Sequence, residues 1–551
     1  MQQSETFSYS TSTAVREPSY YVPSLGLLNV YFLIKWLFWW AGIIDYHPLE
    51  NLAFAALVVA PLAPIHLHRL RNVSVFPLGL LLFYFDSWLP PLTRLMTLSD
   101  EVGGFSFTYV MELIQRFVNL ELMAGSLVIV VIYLYLSLWI RVTTFVFIGL
   151  IVAIWLHPAV NQELKMAETA KAKTIDETTA GNLAENLGNS SAELNRGLTE
   201  FYQREAERRV SFTSPLTSAV PFDVLLLNVC SLSWDDLAFT GQLDHPLFKQ
   251  FDLLFENFSS AASYSGPAAI RLLRASCGQP AHTGLYENVP DNCSLFKALE
   301  QVGFTQQWIM NHDGHYDDFA KQVVQFGKLD TPLMDTSKIP VAQLSFDGSP
   351  IHSDAATLAY WLEQRKSLGA KRTITFYNTV SLHDGNRFTG QRESLNSLEN
   401  FHPRLIQLLD DLSKFFQRLQ ESGGNYVVIL VPEHGAAVRG DQMQIAGLRE
   451  IPTPSIARVP VGVKLIGPTW QKSADTIKVS RAVSFLAISH LLSQMLVTNP
   501  FEDSAVLPAM VESVPETSFV AENEGAIVVK QGGNYYLRLS GDEWIEYKVG
   551  R

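Results

Sequence analysis

Val224-Leu225-Leu226-Leu227-Asn228-Val229, running straight into Cys230-Ser231, decides how the larger part of this chain is read. The run is short and almost wholly apolar, without the alternation of a half-solvated strand. It therefore predicts a parallel strand buried on both faces. Thr373-Ile374-Thr375-Phe376-Tyr377, Tyr426-Val427-Val428-Ile429-Leu430-Val431 and the run 459–466 share that texture, with amphipathic helical stretches such as 401–421 between them. Strands alternating with helices predict an α/β domain around a mainly parallel central sheet. In such folds the chemistry gathers beyond the carboxyl ends of the strands.

The residues at those ends are reactive in type. The first strand leads to Cys230-Ser231, the second to His383-Asp384, the third to Pro432-Glu433-His434-Gly435. Ser263-Tyr264-Ser265-Gly266-Pro267 opens a helix-like stretch at 267–275. Proline is tolerated at a helix start, so Ser265 is placed at a helix N-terminus, where free amides and the dipole favour a phosphate. Singly, each residue has a plain reading: a packed thiol, a serine in a turn, a Glu-His pair in a solvated loop. Gathered at one end of one sheet, they predict a tetrahedral metal set of Cys230, Ser265, Glu433 and His434, in which the thiolate selects zinc over magnesium. A metal-bound serine hydroxyl has a lowered pKa and serves as nucleophile at neutral pH.

At 551 residues the chain is too long for one domain, and its apolar residues crowd into roughly the first 155 positions. Five apolar stretches stand there, at 25–44, 50–66, 73–89, 123–140 and 142–157. Each is near the roughly 17–25 residues that cross a bilayer as helix, which predicts an α-helical transmembrane N-terminal domain of five spans, 1–158. The leader is Ser/Thr-rich rather than basic, and no small-residue cleavage site follows Trp39-Trp40, so the first stretch reads as a retained span. The cluster His66-Leu67-His68-Arg69-Leu70-Arg71 is expected in a cytoplasmic connection and Arg141 in a cytoplasmic hairpin. An odd number of spans then puts the remainder outside the cytoplasm. Four spans, with 142–157 buried elsewhere, would leave it in the cytosol. A polar, partly helical linker at 159–210 precedes the catalytic domain at 211–551. The net charge of −13 argues against a nucleic-acid partner.

Strand, nucleophile and helix, followed by strand, acid and His-Gly, resemble the alkaline-phosphatase superfamily and its membrane-anchored phosphoethanolamine transferases. Four runs are similar to the bacterial cellulose phosphoethanolamine transferases (BcsG-like) in particular. They are Asn228-Val229-Cys230-Ser231-Leu232-Ser233-Trp234, the stretch from Ser263-Tyr264-Ser265-Gly266-Pro267 through Arg274-Ala275-Ser276-Cys277-Gly278, Leu382-His383-Asp384-Gly385-Asn386, and Val431-Pro432-Glu433-His434-Gly435. The likeness covers nearly the whole chain and is weakest in the linker. It implies an alkaline-phosphatase-like (sulfatase-like) catalytic domain in the periplasm of a bacterium, carried by a multi-pass inner-membrane part. It implies Ser265 as the nucleophile that becomes phosphoethanolamine-modified, one zinc ion on Cys230, Ser265, Glu433 and His434, and Tyr264, His383 and Arg449 lining the site. Lipid-directed relatives carry a carboxylate where Cys230 stands, which points the acceptor toward cellulose. The implied reaction moves phosphoethanolamine from phosphatidylethanolamine to glucan hydroxyls, with C6 as the expected position. The implied partners are other subunits of a cellulose synthase or secretion complex. By chemistry, His383 suits proton transfer and Arg449 a phosphoryl oxygen, against the plain reading of Arg449 as a loop residue.

Neighbouring activities fit less well. The sulfatase maturation signal is broken, because Ser265-Gly266-Pro267-Ala268 continues with Ala269 and the arginine arrives only at Arg271. Transfer to lipid A or another lipid-linked glycan, direct phosphodiester hydrolysis, and a structural subunit without activity are the competing readings. Cys277 and Cys293 lie in a loop-rich stretch and are expected to oxidise outside the cytoplasm, giving about 3 kcal/mol; two free buried thiols are the alternative. Trp234, Trp308 and Trp361 are candidates for sugar stacking or for core packing. The segment 526–551 reads as a small strand hairpin.

Overall fold

The computed structural model describes residues 24–41, 44, 46–60, 65–87, 109–112, 120–156, 179–216, 219–390, 399–441, 443–473, 475–539 and 543–548. The chain forms two compact units, one of 1–89 with 118–180 and one of 90–117 with 181–551.

The first unit contains the helices Leu28–Trp40, Pro48–Val59, Ile65–Phe85, Leu120–Leu136 and Val142–Leu156. They overlap the five apolar stretches, but four have only 12–17 residues. The helix of 21 residues carries His66, His68, Arg69 and Arg71 in its opening turns and Pro77 inside. Among the described residues no helix is long and apolar enough to cross a membrane. The basic cluster expected in a connection is thus helical, in keeping with the high helix propensity of Leu and Arg. Arg71 Nη1 donates to Ala60 O at 2.8 Å, satisfying a carbonyl at the end of the preceding helix. Phe32, Tyr46, Phe54, Val146 and Leu150 form this unit's core. Trp40, Phe76, Leu127, Trp139, Phe145 and Trp155 point outward, exposed.

The second unit is built on a seven-stranded sheet. In chain order its strands are β1 (Asp223–Val229), β2 (Leu253–Ser259), β3 (Thr305–Met310), β6 (Thr373–Thr379), β8 (Tyr426–Pro432), β9 (Arg458–Ile466) and β10 (Ile477–Val479). The spatial order is β10-β2-β9-β8-β1-β6-β3. β1 lies parallel between β6 and β8, and only β9 runs against its neighbours β2 and β8. The sheet is therefore mixed, because an apolar run such as 459–466 reports burial and not direction. Along β1, Val224 and Leu226 enter one core while Leu225, Leu227 and Val229 enter the other, so both faces are covered. Trp308 and Trp361 are buried in these cores, which settles them as packing residues.

A three-stranded sheet of β4 (Val341–Leu344), β5 (Pro350–His352) and β7 (Arg387–Phe388) stands beside it. The C-terminal piece is larger than a hairpin. β11 (Val520–Asn523), β12 (Ala526–Gln531), β13 (Asn534–Arg538) and β14 (Ile545–Tyr547) form a four-stranded antiparallel sheet. The helix Thr179–Glu207, expected within a linker, lays Leu194, Leu198 and Phe201 on Val520 and Val529 of that sheet. Cys277 and Cys293 are joined as a disulfide, and Cys230 is a free, buried cysteine.

Candidate metal centre and active site

Strand register brings the donors together. β1 pairs Val229 with Pro432 of β8 and with Thr379 of β6, so the residues just past those positions share one edge of the sheet. Cys230 N donates to Thr379 O at 2.9 Å, and Glu433 N donates to Val229 O at 2.9 Å, which fixes both residues by backbone bonds. The chain then bends sharply. Ser231, at φ 66°, and Ala437, at φ 53°, occupy the left-handed region that non-glycine residues enter only when their surroundings hold them there. Asp236 is one such restraint. Its carboxylate accepts from Ser233 N at 2.9 Å and Ala436 N at 2.8 Å, tying the turn after Cys230 to the turn after His434. Gly435 lies so close to that carboxylate that an added Cβ would come within 2.6 Å of Ser233 Oγ and 2.9 Å of Asp236 Oδ2.

Ser265 is the first residue of the helix Ser265–Leu273, with Tyr264 as its N-cap, which puts it beside free amides as the sequence places it. Its Oγ lies 3.5 Å from Cys230 Sγ and 3.3 Å from His434 Nε2. His434 Nε2 is 3.9 Å from Cys230 Sγ and 4.0 Å from Glu433 Oε2. Donor atoms of Cys230, Glu433 and His434 all fall within 4.8 Å of one another. A tetrahedral zinc with bonds of about 2.0 Å to N or O and about 2.3 Å to S needs donors about 3.3–3.5 Å apart, so the set fits with small adjustments. Two further observations favour a cation. Glu433 Oε2 is buried without a hydrogen-bond partner. Burial also pushes the Cys230 thiol up to about 12, with the Glu433 charge adding to the effect, and raises the Glu433 carboxyl. Both shifts disfavour the charged forms of these two acids, and a divalent ion between them would act in the opposite sense.

The other donor faces are already occupied. Asn378 Nδ2 donates to Glu433 Oε1 at 2.6 Å and to Asn228 Oδ1 at 2.8 Å, leaving Oε2 toward the cluster. His312 Nε2 bonds to Asn378 Oδ1 at 2.7 Å, and its Nδ1 accepts from Gly314 N at 3.1 Å. His434 Nδ1 lies 2.9 Å from Gly435 O, a contact only an N–H can make favourably, so Nε2 presents its lone pair. Such outer partners orient metal ligands. Neither Asn378 nor its register partner Asn228 was singled out from sequence; the signal is a pair of asparagines set in otherwise apolar strands.

Arg449 Nη1 donates to Ser231 Oγ at 3.0 Å and stands 3.5 Å from His434 Nδ1, which brings the expected arginine to the cluster rather than to a surface loop. Tyr264 Oη donates to Glu450 Oε1 at 2.6 Å. His383 lies against Phe346 and Tyr316, with ring centroids at 5.2 and 6.1 Å. Its Nδ1 is 2.8 Å from Asp384 O, and burial together with the Arg449 charge pushes its pKa down to about 4. Arg404, wholly buried, donates to Ser381 O at 2.8 Å and His383 O at 2.9 Å and so holds that turn. Ser265, Tyr264, His383 and Arg449 all line one cavity of about 520 Å³, which Asp313, Asp317, Asp347, Glu450 and Glu524 make acidic.

The fold and site define a class: an α/β protein presenting a serine and a Cys-Glu-His donor set at the carboxyl edge of its sheet. Residues 178–544 match the model of the Cellulose biosynthesis protein BcsG C-terminal domain, and residues 28–156 that of its N-terminal domain. The chain belongs to the BcsG family. It is 40% identical over 540 residues to the Cellulose biosynthesis protein BcsG of Escherichia coli (strain K12), covering 94% of this chain and 95% of that protein. The Salmonella typhimurium (strain LT2) protein of the same name gives the same figures. Among solved structures, it is similar to an alkaline-phosphatase-superfamily protein from Vibrio parahaemolyticus, with TM-score 0.46, 15% identity, and coverage of 64% of this chain and 87% of that one. The zinc complex of the C-terminal periplasmic domain of EptC from Escherichia coli gives TM-score 0.40, 15% identity, and coverage of 57% and 93%. The integral membrane lipooligosaccharide phosphoethanolamine transferase A of Neisseria meningitidis gives 0.41, 11%, 86% and 96%.

Proposed function

We propose that this chain transfers phosphoethanolamine from phosphatidylethanolamine to hydroxyls of cellulose, with C6 as the preferred position, by way of a phosphoethanolamine ester on Ser265. The observation that carries the reading is the convergence of Ser265 Oγ on Cys230 Sγ and His434 Nε2 at the start of a helix, with Arg449 alongside. Membership in a cellulose-biosynthesis family supports a glucan acceptor. Cys230, Ser265, Glu433 and His434 would hold one zinc ion, which supplies positive charge that acidifies the serine and offsets phosphoryl charge.

The protein's own groups account for the rest. In the first step Ser265 Oγ forms the new P–O bond and the bond to diacylglycerol breaks. The helix amides and the Arg449 guanidinium receive the phosphoryl oxygens. The acidic lining suits the ammonium end of ethanolamine, which a simple phosphate lacks. In the second step a glucan hydroxyl attacks the phosphoserine ester, and Ser265 is the leaving group. His383 is neutral at pH 7, and with Nδ1–H held by Asp384 O its Nε2 is an acceptor. It takes the proton of each attacking hydroxyl and returns it to each leaving oxygen. The outward apolar side chains of the N-terminal helices suit a lipid environment, so the first unit is assigned to the inner membrane and the second to the periplasm, beside the lipid donor. Other subunits of a cellulose-secretion complex are the expected partners.

The test is to incubate the zinc-loaded protein with phosphatidylethanolamine, omit acceptor, and map adducts by peptide mass spectrometry. A phosphoethanolamine group on Ser265, absent in Ser265→Ala and after chelation, is expected. Headgroup release without an adduct would replace transfer through serine by direct hydrolysis.

A further inference from the structure

The C-terminal sheet reaches into the site. Along β11 the Glu522 amide donates to Ala261 O at 3.1 Å, which lays the strand edge against the turn that carries the nucleophile. Ala261 has φ 56°, so this turn is one the chain does not adopt unaided. Asn523 follows, 2% exposed. Its Nδ2 donates to Ser263 Oγ, to Glu450 O at 3.0 Å and to Arg449 O at 3.3 Å, and its Oδ1 accepts from Ser263 N at 3.4 Å. Ser263 Oγ donates onward to Arg449 O. One amide side chain therefore binds both the segment ending in Ser265 and the segment carrying Arg449 and Glu450, the latter being the partner of Tyr264.

Asn523 is itself held by a rigid element. The neighbouring Glu522 carboxylate accepts from Tyr202 Oη at 2.6 Å and from His282 N at 2.7 Å, and Val520 O accepts from Gln279 Nε2 at 2.9 Å. The helix Thr179–Glu207 packs on the same sheet. A side chain fixed in this way sets a distance more sharply than a loop would.

We propose that Asn523 is a positioning residue of the transfer reaction: it fixes the nucleophile Ser265 relative to the phosphoryl-binding Arg449 through Ser263 and the Arg449-Glu450 backbone. The proposal rests on the phosphoserine reading above. Asn523 contacts none of Cys230, Ser265, Glu433 or His434 by hydrogen bond, so its removal misplaces the reacting groups while leaving the metal donors in place. A displacement on the order of 1 Å costs about 100-fold in rate.

The experiment uses the full-length zinc-loaded protein in detergent micelles containing phosphatidylethanolamine. The initial rate of adduct formation on Ser265 is followed against lipid concentration for wild type, Asn523→Ala, Ser263→Ala and the double variant, with zinc content and Tm measured on each. Asn523→Ala is expected to keep its zinc and lower the maximal rate roughly 10- to 100-fold. The double variant is expected to be faster than the product of the two single effects predicts, because the two changes share the bond between Asn523 and Ser263 Oγ. An Asn523→Ala rate equal to wild type overturns the proposal, and so does a rate that falls only in proportion to lost zinc. If Asn523→Ala does not fold, Asn523→Asp, which keeps the acceptor for Ser263 N and loses the donors to Ser263 Oγ, Glu450 O and Arg449 O, is judged by the same outcomes. No adduct on wild type would sink the phosphoserine reading and this inference with it, whereas an adduct on wild type with an unimpaired Asn523→Ala sinks this inference alone.

Discussion

Replacing Asn378 by alanine should weaken zinc binding without touching a ligand. The side chain makes three buried bonds: to Glu433 Oε1 at 2.6 Å, to Asn228 Oδ1 at 2.8 Å and to His312 Nε2 at 2.7 Å. Their loss leaves a carboxylate oxygen, an amide oxygen and an imidazole nitrogen facing a space from which a side chain has gone. Each orphaned buried group costs about 1–3 kcal/mol, with the carboxylate at the upper end. Part of that cost falls on any folded form of the protein and should appear as a loss of about 2–4 kcal/mol in the metal-free chain. The remainder falls on Glu433, which becomes free to turn Oε2 away from Cys230 and His434. Outer-partner deletions of this kind lower metal affinity about 10- to 100-fold. Competition with a chromogenic chelator measures the affinity, and urea unfolding of the metal-free protein measures the stability. Wild-type zinc affinity in Asn378→Ala, within about twofold, would refute the claim that the Asn378 bond holds Glu433 for the metal.

Other consequences can be checked with the same preparations. With its pKa pushed down to about 4, His383 stays neutral from pH 7 to pH 5 and becomes charged below about 4. Discharge of the Ser265 adduct to a glucan acceptor should therefore keep its rate down to about pH 5 and fall as pH drops through about 4, measured by pH-jump quench; a fall centred near 6.5 would show an unshifted histidine instead. The same shift makes the fold less stable as pH falls below the unfolded-state value, because the unfolded chain takes up the proton first. Reducing the disulfide between Cys277 and Cys293, or replacing both by alanine, should cost about 3 kcal/mol of unfolding free energy with zinc still bound, read by denaturant titration.

Much of the site was legible because its members stand where apolar runs stop. Cys230, His383, Glu433 and His434 follow buried strands, and the strand-end rule gathers them whatever the strand order. Ser265 announced itself by the Gly-Pro that opens its helix. The supporting groups gave no such sign. Asn378 matters because β6 sits beside β1 in a register that sets it against Asn228, and Asn523 because β11 folds back on a turn more than 250 residues earlier. A polar side chain carries no record of a distant partner, and Asn378 falls just past the run 373–377 and Asn523 just before the segment 526–551, so neither stands out. Direction was also hidden, since β9 has the same buried texture as its parallel neighbours and runs the other way. In the N-terminal unit, apolar content located the helices but not their ends. The basic residues that resembled a connection continue a helix instead, because side chains favourable in a helix do not become breakers by being charged.

The spread of the site along the chain bears on when it becomes active. Cys230 and Ser265 are synthesised early, Glu433, His434 and Arg449 some two hundred residues later, and Asn523 later still. Contacts of such long sequence separation form late in folding, since loop closure must precede them. A growing chain thus carries its thiol and serine apart from the groups that would activate them, and the completed arrangement waits on the final sheet. Serine, donor set and guanidinium are in this way kept apart until the chain is whole.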